Sequence, residues 1–177
     1  MTRSAIHRLA QIGVLIGAAA AIVAAPAVTA KDSLGVYSSW AVFRDASVPR
    51  CYAIAKAQPP RQNEQTRDYA PYLSIATWPD RNVRNQLHVR LSRKLASAPR
   101  LRLVIGSRSF SLTGGGGDGW ARDKAMDAAI VAAMRSATRL SVSATDANGK
   151  RFTDRYALDG VATAVDAATL GCSPQNL

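Results

Sequence analysis

Apolar residues in this chain fall into short runs in which every second position is hydrophobic, the period of a strand with one face in a core. The clearest run is 86–91 (QLHVRL), with Leu87, Val89 and Leu91 on one face and Gln86, His88 and Arg90 on the other. The same reading predicts strands over 37–44, 50–56, 72–78, 101–105, 109–113, 139–145 and 151–158, separated by Pro, Gly, Asp and Asn. Asp146-Ala147-Asn148-Gly149 predicts a type I turn with Gly149 left-handed, joining the last two strands as a hairpin. Two stretches change period. Asp127 is expected to cap a helix over 128–137, with Ile130 and Met134 one turn apart, and Asp159 to cap a second over 161–170, ended by Gly171. The first is mostly alanine with little to bury, which places it at an edge or end of the sheet. Segment 58–68 holds Pro59-Pro60 without periodicity and reads as a loop, and Gly114 to Gly117 as a flexible one. About eight short strands and two helices predict a mainly β fold, an antiparallel β-sandwich.

The first thirty residues do not fit that pattern. Arg3 and Arg8 precede an apolar run over 9–25, followed by Pro26-Ala27-Val28-Thr29-Ala30. A positive start, an apolar middle and small residues before a cut describe a secretory signal peptide, cleaved after Ala30 or after Ala27. The competing reading is a retained anchor helix, which the alanine content and Pro26 disfavour. Residues 31–177 are then expected to form a single β-sandwich domain in a bacterial periplasm or outside the cell. In such an oxidising compartment the two cysteines, Cys51 and Cys172, are expected to pair, on counting alone.

Composition narrows the chemistry. The chain has two histidines, His7 in the leader and His88 beyond it, and a single glutamate after the leader, Glu64. That inventory weakens hydrolase and metalloenzyme readings, and no catalytic residue, metal site or cofactor is assigned. The glycine run lacks the lysine and hydroxyl residue of a phosphate loop. His88, outward on its strand with no cysteine or carboxylate near it in sequence, reads as a solvated histidine; a hydrolase built on it ranks last. Trp40, Trp78 and Trp120 read as core area, with a ligand-stacking platform as the alternative.

Charge adds more. Lys and Arg number 23 against 12 Asp and Glu, a net charge of +11, of which the leader holds two arginines and no acid. Between Arg81 and Gly117 stand Arg81, Arg84, Arg90, Arg93, Lys94, Arg100, Arg102 and Arg108 without one acid. Guanidinium groups bind phosphate and carboxylate by paired hydrogen bonds, so Arg84, Arg90, Arg93, Arg102 and Arg108 are candidate anion contacts. Arg90 and Arg102 are expected to share one face of adjacent strands. Lipopolysaccharide phosphates, acidic lipids or an acidic partner protein are the plausible anions for an exported chain. No nucleic-acid motif is present. The alternative is an arginine-rich, solvated surface.

An ordered set of short motifs carries a resemblance. Trp40-Ala41-Val42, Cys51, the stretch 128–135 (AAIVAAMR), the hairpin 140–158 and 160–168 (GVATAVDAA) together resemble the invasion-associated locus B family of exported bacterial proteins. The resemblance spans nearly all of the chain after the leader. It implies an immunoglobulin-like β-sandwich, periplasmic or surface-exposed, without cofactor or catalytic site. With the basic balance, it suggests a non-enzymatic envelope protein that binds an anionic surface or partner through a basic face. A structural or chaperone-like periplasmic interaction module is the second reading.

Overall fold

Alternation along the chain becomes a continuous antiparallel sheet. The computed structural model describes residues 31–64 and 66–173; the expected leader lies outside them. The strands are β1 (Asp32–Tyr37), β2 (Trp40–Asp45), β3 (Arg50–Lys56), β4 (Tyr72–Trp78), β5 (Val83–Arg90), β6 (Leu101–Ile105), β7 (Arg108–Gly115), β8 (Asp118–Trp120), β9 (Arg139–Thr145) and β10 (Arg151–Ala157). Helix α1 (Lys124–Met134) lies between β8 and β9, and α2 (Val161–Gly171) follows β10. Strand order is β1-β2-β3-β4-β5-β8-β7-β6-β9-β10.

The sheet turns back on itself where β7 passes from its pairing with β6 to its pairing with β8. Leu73, Ile75, Leu87 and Val89 of one half then share a buried cluster with Leu103, Ile105, Leu140 and Val142 of the other. Hydrogen bonds tie the halves together: the Trp40 indole N–H donates to the Ala157 carbonyl at 3.1 Å, and the Ser92 amide to the Asp154 carboxylate at 2.8 Å. The mainly β, antiparallel architecture with two short helices is the one the sequence predicts, with the layers supplied by one folded sheet. Helix α2 covers the inner side of β1, β2 and β3, and a disulfide joins its end to β3, Cys51 to Cys172. Helix α1 packs on β5, β6 and β7, where the halves meet.

Several expected elements are drawn differently. The strand expected over 37–44 is a hairpin, because Ser38 adopts φ 52° and reverses the chain between Tyr37 and Trp40. Serine there carries none of the glycine signal of such turns. The glycine run is a hairpin too, not a flexible loop: β7 runs through Gly114 and Gly115, and the Gly116 and Gly117 carbonyls accept the Leu95 and Leu91 amides at 2.6 and 2.8 Å. Glycine is required within it, since a Cβ on Gly114 would lie 2.7 Å from the Asp118 carbonyl oxygen. Helix α1 starts earlier than expected, capped by Asp123, whose carboxylate accepts the Met126 amide at 2.8 Å. Gly160, not Asp159, caps α2. Gly149 is left-handed as expected, at φ 79°.

Candidate anion-binding face

Strands β6, β9 and β10 alternate buried with outward positions, the outward ones polar except Val104 and Ala157 and the buried ones apolar except Asp154, and β7 adds serines beside them. Facing out are Ser109 and Ser111 of β7, Arg102 of β6, Arg139, Ser141, Ser143 and Thr145 of β9, and Arg151, Thr153 and Arg155 of β10. Register sets them in lines: Ser111, Arg102, Ser143 and Thr153 stand side by side across four strands, with Ser141 and Arg155 opposed in the next line. These four strands contain one carboxylate, Asp154, and it points inward with 0% of its surface exposed. The outer face thus carries guanidinium and hydroxyl groups around Val104, and no acid of its own.

The face is partly pre-ordered. Arg102 Nε donates to Ser109 Oγ at 2.6 Å, Ser143 and Thr153 hydroxyls meet at 2.9 Å, and Arg155 Nη1 reaches Glu64 Oε1 at 2.5 Å. The Arg61 amide, with help from Arg155, holds the Glu64 carboxyl below its usual range against the opposing effect of burial. Arg102, Arg139 and Arg151 are exposed and form no ion pair with any described residue. A shallow depression of about 560 Å³ opens on one side, lined by Arg100, Arg102, Ser109 and Ser111. Guanidinium N–H groups donate only, and hydroxyls rotate to donate, so the face suits acceptor-only oxyanions such as phosphate or carboxylate.

The five arginines singled out from the sequence are scattered. Two strands, β8 and β7, separate Arg90 on β5 from Arg102 on β6, so the expected shared face of adjacent strands does not exist. Arg90 Nη1 pairs with Asp118 at 2.7 Å. Arg93 is nearly enclosed, with Nε on Asp146 at 2.8 Å and Nη1 on the Thr66 carbonyl at 2.6 Å. Asp146 is held below its usual pKa first by the Lys150 amide and also by Arg93, against burial. Arg84 is exposed on the other half of the sheet, beside the end of α2. Arg108 lies at the β6–β7 turn with its guanidinium 5.3 Å from the Phe110 ring. Of the five, Arg102 belongs to the face and Arg108 flanks it. Arg139, Arg151 and Arg155 were missed, although the alternation in RLSVSAT and RFTDRYA puts them outward.

His88 is not a solvated histidine. Its Nε2 lies 2.9 Å from Asp118 Oδ1 and its ring stacks on Trp120, centroids 5.3 Å apart. No hydroxyl or thiol is hydrogen-bonded to it among the described residues, so no nucleophile is set against this base. The tryptophans form no common platform: Trp40 is buried, Trp78 lies beneath the guanidinium groups of Arg50 and Arg81, and Trp120 is exposed. Among the described residues, no cluster of three or more His, Cys, Asp or Glu suits a metal ion. No described helix is long and apolar enough to cross a membrane.

Residues 45–169 match the sequence model of the family described as "Invasion associated locus B (IalB) protein". The fold is similar to the crystal structure of invasion associated protein B from Bartonella henselae, with a TM-score of 0.53 and 17% identity over 80% of this chain and 97% of that one. No curated protein matches the chain.

Proposed function

The chain belongs to the invasion associated locus B family, and from that premise we propose a non-enzymatic, exported bacterial envelope protein that binds an anionic surface or partner through the outer face of β7-β6-β9-β10. The observation that carries this reading is the composition of that face: Arg102, Arg139, Arg151 and Arg155 among serine and threonine hydroxyls, with the only carboxylate of the four strands turned into the core. The anion contacts are accordingly Arg102 and its neighbours on β9 and β10. Arg84, Arg90 and Arg93 play no part. Export is supported by the Cys51–Cys172 bond, which persists in an oxidising compartment, and by the signal pattern over 1–30. The part that acts is residues 31–177.

Binding to vesicles containing phosphatidylglycerol, or to lipopolysaccharide, measured across a salt series tests the reading. Each arginine near an anionic surface contributes about 1 kcal/mol, so Arg102→Ala with Arg151→Ala should weaken binding at low ionic strength by roughly tenfold or more. Binding that ignores both salt and the double substitution removes the proposal. Salt-insensitive capture of outer-membrane proteins would favour the interaction-module reading instead.

A further inference from the structure

The opposite half of the sheet carries a second surface of different chemistry. Register sets six side chains of β4, β5 and β8 on one face in two lines, Ser74, His88 and Trp120 in one and Tyr72, Arg90 and Asp118 in the other, with Ser74 buried and the other five at least partly exposed. Asp118 ties the lines together, with Oδ2 accepting from Arg90 Nη1 at 2.7 Å and Oδ1 2.9 Å from His88 Nε2. The His88 ring is fixed between Tyr72, edge-on at 5.6 Å, and Trp120, stacked at 5.3 Å. The Arg90 guanidinium lies 4.8 Å from the Tyr69 ring. Among the described residues only two aromatic side chains are exposed, Tyr69 at 43% and Trp120 at 39%, and they flank this one Arg90–Asp118 pair. Space is open beside them: a Cβ on Gly115, the residue opposite Asp118, would meet nothing within 4 Å.

We propose that Trp120, Tyr69, Arg90 and Asp118 form a binding site for a neutral carbohydrate. An exposed aromatic ring offers a flat apolar surface, and its rigid seat on His88 lowers the ordering cost of a stacked ligand. The polar groups between the rings are internally neutralised, Arg90 against Asp118, so the site offers no net attraction to a phosphate or a cation. It does offer donors and acceptors side by side. Arg90 has N–H groups beyond the one held by Asp118, and each Asp118 oxygen has a second lone pair. A sugar ring meets both demands, because each hydroxyl donates and accepts while the C–H face of the ring covers indole. The site lies on the other half of the sheet from the basic face, so it can fail without affecting that reading.

An array of neutral oligosaccharides, followed by calorimetric titration of the tightest binder, tests the assignment. Binding should persist at 0.5 M salt, fall at least tenfold in Trp120→Ala and in Asp118→Asn, and be partly kept in Trp120→Phe. Arg102→Ala with Arg151→Ala should leave it unchanged. Unaltered thermal unfolding of the Trp120 variants separates loss of a contact from loss of the fold. The assignment is overturned if no neutral glycan binds, if only sulfated or phosphorylated glycans bind and salt abolishes them, or if the Trp120 variants bind normally.

Discussion

Asp127 illustrates what one residue gains from its surroundings. It stands in the first turn of α1 and looks like a cap, yet Asp123 fills that role, and Asp127 is buried with Oδ1 accepting the Leu87 amide at 2.8 Å. That amide needs a partner because β8 pairs only with His88, Val89 and Arg90 and leaves the rest of this edge of β5 without a strand. Burial pushes the Asp127 pKa up to about 6, with Asp123 adding to the rise and the Leu87 hydrogen bond opposing it. A carboxyl whose pKa is higher in the folded state holds its proton longer there. Its contribution to stability is therefore full below the unfolded value of about 3.8 and is lost as pH climbs through about 6. Asp127→Asn keeps an acceptor for Leu87 without the charge. It should match the parent protein near pH 4 and exceed it by on the order of 2 kcal/mol at pH 7.5, as read by urea unfolding at the two pH values. A variant less stable than the parent at pH 7.5 would contradict this account. The sequence pattern put the cap at Asp127; in the fold that carboxylate is taken up by a strand edge forty residues away, and Asp123 caps the helix.

At the scale of elements, turn geometry and close approach separate what the sequence disclosed from what it concealed. Period-two patterning located eight strands, and Gly149 after Asp146 marked the β9–β10 hairpin correctly. Ser38 and the short β8 carried no comparable signal, so two strands were hidden. Glycines that look equivalent in sequence also differ sharply. Gly149 has φ 79° with open space around it, so Gly149→Ala should cost only the local backbone strain, about 1 kcal/mol. Gly160 has φ 84°, and a Cβ there would stand 2.1 Å from the Tyr37 carbonyl oxygen. Gly160→Ala must push α2 away from β1, and a loss of about 3 kcal/mol or more is expected in denaturant titration. Equal losses for the two variants would show that α2 does not depend on this close approach.

Across the whole molecule, the bond between Cys51 and Cys172 spans 121 positions and fastens α2 over the inner side of the sheet. By the chain-entropy relation a loop of that size is worth about 4–5 kcal/mol. Replacing both cysteines by serine should lower the guanidinium midpoint by the corresponding amount, and adding a reductant to the parent protein should approach the same value. A midpoint indifferent to reduction would mean that packing alone holds the helix. The same scale explains the misplaced basic residues. An acid-free run over 81–117 is a feature of the chain in one dimension, and folding brings Asp118, Asp146 and Asp68 against Arg90 and Arg93. The basic face is instead assembled from β6, β9 and β10, whose arginines are distant in sequence and share an orientation. By itself the sequence determined the strand periods, the pairing of its two cysteines, the family and the excess of positive charge, because each depends on local pattern or on counting. Only the tertiary structure decided which arginines remain available and that His88 meets a carboxylate, because neutralisation and stacking depend on which strands become neighbours, and the folded sheet sets that order.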